Sequence, residues 1–204
     1  LTADSNSSLD DLFSAVLTGP RVILRPYSEE RDFPNIVGMF SDPAVTSPIG
    51  ILHPQPFVDG LKKAKLERMA CRETADWTVF VRSADNGEHF VGEVGIGSWD
   101  PEIQVFELFA AIVSEQADRA YGSEAVSALM ARIFLSYPHA TVRMQTLLSN
   151  QKAIGLCLKL GYRESGRRFT EPDWGIGFTG GMAIIMDCRA SQFRPFVLSL
   201  NKKH

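Results

Sequence analysis

Apolar residues recur at helical spacing in several parts of the chain. Within 121–136, Ala125, Val126, Leu129, Met130 and Ile133 fall three and four positions apart, so they form one stripe, and the segment is read as an amphipathic helix. Within 150–160, Ala153, Ile154, Cys157 and Leu158 share a face with Gly161 just beyond them. Asn150 suits the N-cap, Lys159 complements the dipole in the last turn, and Gly161 suits a left-handed cap. Helices are also expected from Ser28 to about Phe40 and over 57–72, the latter with basic residues on its open face. A shorter helical candidate, Leu9 to Leu17, ends at Gly19-Pro20.

Between these lie runs that alternate or are continuously apolar. RVILRPYS (21–28) reads as an edge strand, and 76–83, 89–97, 105–113, 141–148, 162–169 and 181–188 read as further strands. Asp85-Asn86-Gly87 is a turn, and 41–56, with Pro43, Pro48, Pro54, Pro56 and Gly50, reads as a long loop. Residues 191–200 carry a helical apolar stripe broken by Pro195, read as a cover for the sheet or a dimer contact. The order implies an α/β fold, a mixed central sheet flanked by helices. A single domain is expected over 21–188, with an N-terminal extension at 1–20 and a tail at 189–204.

Composition narrows the function classes. The 204 residues carry a net charge of −3, which offers no electrostatic footprint for nucleic acid. Cys71, Cys157 and Cys188 form no paired framework and no CxxC, and the histidines show no metal-ligand spacing, so neither disulfides nor a metal is expected. No apolar run approaches the ~20 residues of a membrane span. Residues 1–18 carry Asp4, Asp10 and Asp11 without a basic start and do not read as a signal peptide. A cytoplasmic protein, monomeric or homodimeric, without nucleic-acid or membrane partners, is the expectation.

The run NQKAIGLCLKLGY (150–162), with the pattern N-x-x-A-I-x-L-x-x-K-L-G-Y, resembles the coenzyme-proximal helix of the GNAT superfamily of acetyl-CoA-dependent N-acetyltransferases. The neighbouring sequence is most similar to the RimJ/RimL-type branch, and the element order matches that fold over roughly 21–188. The resemblance implies a GNAT-like acyltransferase fold with acetyl-CoA as co-substrate. In the family a Gln/Arg-x-x-Gly-x-Gly/Ala loop opens a helix whose N-terminus holds the pyrophosphate. The matching segment here is QADRAYGSEA (116–125), which assigns Arg119, Ala120, Tyr121, Gly122 and Ser123 to the coenzyme. Its back half, YGSEA, fits the pattern; its front half departs from it. Ala120 stands where glycine is expected, at a cost of about 1 kcal/mol if its φ is positive. Asp118 adds a negative charge that Arg119 would offset, and Gln116 replaces the missing Gln/Arg only if the loop carries an extra residue.

By the same resemblance, Asn150 contacts the pantetheine arm, and the strands at 89–97 and 105–113 correspond to the family's splayed pair. Backbone groups near Val94 and Gly95 would then polarise the thioester carbonyl, and those near Ile112 and Val113 would pair with pantetheine. Gly92, Gly95 and Gly97 would ease the bulge where the strands part. An amine must lose a proton before it attacks. Glu93 and Glu107 are carboxylates embedded in apolar strands, Glu93 as base and Glu107 on the substrate side. Cys157 stands where many relatives carry a tyrosine general acid. The segment RFTEPDWGIGFTGG (168–181) would border the acceptor, with Phe169 and Trp174 as an aromatic wall and Glu171 and Asp173 as acidic groups suited to a cationic amine.

These readings converge on transfer of an acetyl group, directly within a ternary complex, to a small-molecule amine or a peptide N-terminus. The altered loop motivates an alternative: a GNAT-fold protein that has lost or changed its use of acetyl-CoA and serves as a binding module or a different acid–base catalyst.

Overall fold

The computed structural model describes residues 4–83, 87–173 and 175–197. The elements run α1 (Asp4–Phe13), β1 (Leu17–Thr18), β2 (Val22–Pro26), α2 (Glu29–Ser41), α3 (Pro43–Thr46), a 3₁₀ turn (Ser47–Ile49), α4 (Pro54–Ala70), β3 (Ala75–Arg82), β4 (Glu88–Asp100), β5 (Val105–Ile112), a second 3₁₀ turn (Ser114–Gln116), α5 (Tyr121–Ser136), β6 (Thr141–Leu147), α6 (Gln151–Leu160), β7 (Arg163–Thr170) and β8 (Gly181–Arg189). The strands form one sheet of order β1-β2-β3-β4-β5-β6-β8-β7. Every neighbouring pair is antiparallel except β5 and β6, which run parallel with α5 as their crossover. The expected mixed sheet flanked by helices is the architecture found.

Helices cover both faces. The stripe of α5 (Ala125, Val126, Leu129, Met130, Ile133) is fully buried against Leu24, Trp77, Val94, Phe106 and Val142. Burial of each large side chain in that stripe contributes about 1.5–3 kcal/mol. On the opposite face Ile36, Met39 and Phe40 of α2 pack with Leu61 of α4 in a second, smaller cluster. Leu12 of α1 and Leu17 of β1 belong to the larger core, as do Phe193 and Phe196 at its margin, so both flanks of 21–188 pack onto the domain. Among the described residues, no helix is long and apolar enough to cross a membrane.

Several local expectations are corrected. The helix read over Leu9 to Leu17 ends at Phe13; Leu17 instead pairs with Leu24, because the Gly19 N–H bonds the Val22 carbonyl and folds β1 back on β2. The loop read over 41–56 contains α3 and a 3₁₀ turn: Asp42 caps the Ala44 N–H at 2.8 Å, and prolines at first-turn positions start helices rather than break them. For the same reason α4 begins at Pro54 instead of residue 57. Leu158 lies off the buried face of α6, where Cys157 and Leu160 turn inward. No helix forms over 191–197; there the Arg194 N–H bonds the Leu160 carbonyl and the Phe196 N–H bonds Ser127 Oγ.

The pair that parts is also a different one. β4 and β5 stay hydrogen-bonded from Asp100–Val105 to Gly92–Ile112, and the Val113 N–H extends the ladder to the Val91 carbonyl. A bulge between Ile96 and Ser98 leaves Gly97 unpaired without separating the strands. Instead, the parallel pairing of β5 with β6 ends at Leu108–Met144. Beyond it β6 continues beside β8, while Phe109–Ile112 of β5 diverge from it. This divergence opens the cleft.

Candidate functional site

The cleft has a volume of about 1120 Å³ and runs from the N-termini of α5 and α6, along the diverging end of β5, to the inner face of α4. It exceeds the 300–1,000 Å³ of ordinary small-ligand pockets. A long ligand and a second, smaller one fit such a volume together.

At one end lies the N-terminus of α5. Ala120 is the N-cap residue, with φ 63° and ψ 12°, and offers no side-chain cap. The first intrahelical bond runs from the Glu124 N–H to the Ala120 carbonyl at 3.0 Å. The N–H groups of Tyr121, Gly122 and Ser123 precede that bond, and all three residues line the cleft. An uncapped helix start facing a cavity is an anion site in waiting. The positive φ at Ala120 is the condition under which alanine is costly, and Asp118 is likewise left-handed at φ 65°. The charge of Asp118 is met by Lys152 of α6, Nζ to Oδ2 2.9 Å, and not by Arg119, which is outside the cleft lining.

Sequence reasoning missed what anchors this helix start. Glu124 is 1% exposed and accepts from the Arg21 Nε at 2.9 Å, from the Val22 N–H at 2.9 Å and from the Arg21 N–H. Arg21 in turn stacks over the Tyr121 ring, 4.8 Å from its centroid. The only signal in the sequence was a carboxylate in a first helical turn, which the helix dipole alone explains. Asn150 caps α6: its Oδ1 accepts from the Ala153 N–H at 3.2 Å and its Nδ2 donates to Thr146 Oγ1 at 3.0 Å. It also lines the cleft, with Lys152, Leu156 and Lys159 along the same helix.

At the other end stands a buried charge network. Glu93, 1% exposed, projects from β4 towards α4 and contacts the Lys65 ammonium. Lys65 Nζ also donates to Asp76 Oδ2 at 2.8 Å, and Asp76 accepts from Arg68 Nε at 3.0 Å. Arg68 reaches the Ile96 carbonyl at 2.9 Å and lies over the Phe109 ring at 4.9 Å. Phe109 occupies this place because position 95 is glycine: a Cβ there would meet the Phe109 ring at 2.5 Å. Burial lowers the Lys65 pKa, and Asp76, which pulls the other way, only partly offsets it. Burial raises the Asp76 carboxyl, but hydrogen bonding from Arg68 and the charge of Lys65 outweigh that and hold it below the ordinary carboxylate range. Lys65, Arg68 and Glu93 line the cleft, with Asp76 behind them. The basic positions of 57–72 were visible in the sequence, but α4 has no apolar stripe to show that Lys65 turns inward.

The remaining expected residues are scattered. Ile112 lines the cleft and touches the start of α5, where a Cβ on Gly122 would stand 3.2 Å from Ile112 Cγ1. Val113 lies outside the lining, its N–H held by β4 and its side chain against the α2–α4 cluster. Val94 faces the α5 core, fully buried, between Trp77 and Ala110 in the ladders, so it presents nothing to the cleft. Glu107 lies away from the lining, opposite Ser98 and Arg143. Cys157 is 1% exposed, packs its sulfur 3.8 Å from Met144 Sδ, and has a thiol that burial pushes up to about 12. It is packed as a core residue, outside the cleft lining.

On the acceptor side, residues 47–53 and 175–180 dock on each other: the Thr179 N–H bonds the Gly50 carbonyl at 2.9 Å and Ile51 bridges to Phe178. Ile49 and Ile176 reach the lining, whereas Phe169 is exposed on β7 and neither Glu171 nor Asp173 lines the cleft. Trp174 lies outside the described residues. No group of three or more His, Cys, Asp or Glu side chains suited to a metal occurs among the described residues.

A parallel strand pair that parts beside an uncapped helix start, above a buried carboxylate, forms the cleft of this mixed α/β sheet. The acetyltransferase (GNAT) domain family matches residues 21–163, and the chain belongs to that family and so to the acyltransferases. No curated protein matches the sequence significantly. Solved structures share the fold at low identity. RimL, a ribosomal α-N-protein acetyltransferase in complex with coenzyme A, is similar at TM-score 0.71 and 10% identity, over 86% of this chain and 98% of that one. The microcin self-immunity acetyltransferase MccE, in complex with acetyl-CoA and AMP, is similar at TM-score 0.67 and 9% identity, over 83% and 93%. A chimera of the spermidine N-acetyltransferase SpeG from Vibrio cholerae is similar at TM-score 0.65 and 17% identity, over 84% and 96%.

Proposed function

We propose that this protein is an acetyl-CoA-dependent N-acetyltransferase that acts on a small-molecule amine or a peptide N-terminus by direct transfer in a ternary complex. The observation that carries the reading is the continuity of one cleft from the uncapped start of α5 to Glu93. The residues fit the coenzyme. The N–H groups of Tyr121, Gly122 and Ser123 receive the pyrophosphate, with Lys152 beside them. The diverging main chain of Phe109 to Ile112 and the Asn150 corner flank the arm. Acetyl-CoA supplies the acetyl group: the amine nitrogen bonds to the thioester carbonyl carbon, the carbon–sulfur bond breaks, and CoA leaves as the thiol.

This chain holds the acceptor amine against the Glu93 wall, and Glu93 takes the ammonium proton that must leave before attack. The proton still on nitrogen after the bond forms goes to the departing sulfur, so the balance closes without a covalent enzyme species. Neither Cys157 nor Glu107 takes part.

Calorimetric titration with acetyl-CoA, and in parallel with free CoA, tests the reading. Micromolar binding that weakens in Asn150→Ala is the expected result. Absence of binding at millimolar coenzyme would sink it and favour the second reading, a GNAT fold that has lost acetyl-CoA, for which the left-handed Asp118 and Ala120 are the specific observation.

A further inference from the structure

The charge arrangement around Glu93 defines the acceptor class. Glu93 is the carboxylate on the cleft wall at the α4 end, and its charge is already balanced by Lys65. The second cation there, Arg68, is balanced by Asp76, which sits behind the wall. A ligand at the α4 end of the cleft therefore meets two cationic side chains, Lys65 and Arg68, and one neutralised carboxylate, Glu93. Asp32, Asp42, Glu171 and Asp173 lie outside the lining. The rest of the wall is apolar: Phe40, Phe57, Leu61 and Phe109 with Ile49 and Ile176.

From this geometry we infer that the acceptor is a monoamine, its reactive nitrogen on an apolar or aromatic body with no second positive charge, and that polyamines and lysine-like diamines are rejected. The inference rests on the N-acetyltransferase reading and narrows its substrate.

Three physical effects point the same way. An extra ammonium deep in the cleft would lose its hydration without gaining an unpaired carboxylate, the arrangement that makes buried charge costly. Because Lys65 pairs with Glu93 and Arg68 with Asp76, this end carries no net negative charge to favour the protonated form of an incoming amine over the neutral nucleophile that the transfer needs. The phenyl rings and aliphatic side chains, in turn, gain only from an apolar body.

The test compares phenethylamine and phenylalanine amide with spermidine and Nα-acetyl-lysine amide on the intact chain. With acetyl-CoA present, kcat/KM for the aromatic monoamines is expected to exceed that for spermidine by about tenfold or more. Lys65→Met removes one wall cation and frees the Glu93 charge, so it is expected to move the ratio towards spermidine. Its thermal midpoint reports whether it folds, and the less buried Arg68→Gln carries the same expectation if it does not.

Saturation-transfer NMR of the same amines on coenzyme-free protein reads the preference without turnover. Spermidine bound or turned over as well as the aromatic amines overturns the inference, and so does the absence of any aromatic-amine binding. Loss of acetyl-CoA binding in the parallel titration overturns the acetyltransferase reading instead, so the two failures are distinguishable.

Discussion

Lys152, in the first turn of α6, pairs with Asp118 in the loop before α5, Nζ to Oδ2 2.9 Å, across the mouth of the cleft. Both side chains are about three-quarters exposed, so the pair adds little to stability, and Lys152 is available to a stronger anion. Asp118→Asn is expected to tighten coenzyme binding and Lys152→Ala to weaken it, each by about three- to tenfold at low salt. Because the groups are exposed, both effects should shrink as ionic strength rises. Calorimetry at two salt concentrations checks this; salt-independent effects would show that the pair acts through structure.

Ala120 holds a left-handed backbone at φ 63°. A non-glycine residue there costs about 1–2 kcal/mol, and glycine returns part of the gain as unfolded-chain entropy. Ala120→Gly is expected to stabilise the fold by about 0.5–1 kcal/mol, read from urea midpoints. A loss of stability would mean that the Ala120 methyl makes contacts worth more than the strain.

Asn150 uses both ends of its amide, towards Ala153 and Thr146. Asn150→Ala should cost about 1 kcal/mol from the lost cap. Asn150→Asp keeps the acceptor but loses the donor to Thr146, so its stability should fall between the two. A coenzyme affinity that follows stability across this series would mark Asn150 as a cap only.

Cys157 and Cys188 are buried, with thiols that burial pushes up to about 12 and about 11, whereas Cys71 is exposed. Since the thiolate is the reactive form, a thiol reagent at pH 8 should modify Cys71 quickly and the other two only on unfolding. Cys157→Ala should retain its turnover per folded molecule; a large loss of kcat without loss of stability would return Cys157 to the chemistry.

Asp32, fully buried, accepts from the Ser28 N–H, Thr78 Oγ1 and the Arg31 guanidinium. Burial raises its carboxyl, but these hydrogen bonds outweigh that and leave it below the ordinary 3.8. Asp76 is depressed in the same direction. Carboxyls depressed in the folded state stabilise fully above their unfolded value, and the contribution is lost as pH falls through the folded one. The thermal midpoint should therefore drop below about pH 4. Asp32→Asn should lower stability at pH 7 by about 1–3 kcal/mol and flatten the acid limb. An unchanged acid limb would assign the loss to other carboxylates.

What was legible in the sequence was whatever local rules govern. The α5 stripe follows from a period of 3.6, the α6 ends from Asn150 and Gly161, and the element order from runs of apolar residues. A Cβ on Gly161, at φ 97°, would lie 2.0 Å from the Gln192 carbonyl oxygen, so the cap inferred from sequence is also a close packing contact. Together with the motif at 150–162, these signals sufficed for the family and the fold.

Only the tertiary structure decided which residues meet. Glu93 and Glu107 look alike in sequence, each a carboxylate inside an apolar strand. One faces the cleft beside Lys65; the other stands opposite Ser98 and Arg143, beyond the lining. Val94 and Cys157 occupy family positions, yet their side chains turn into the core. The strand that parts from β5 is β6, from a segment some 30 residues on, and nothing in the local pattern of 89–113 could specify it. Periodicity and capping act between neighbours along the chain, where sequence spacing is spatial spacing. The cleft is made by contacts between elements distant in sequence, Lys65 with Glu93 and Lys152 with Asp118, and sheet order and helix rotation exist only once the chain has folded.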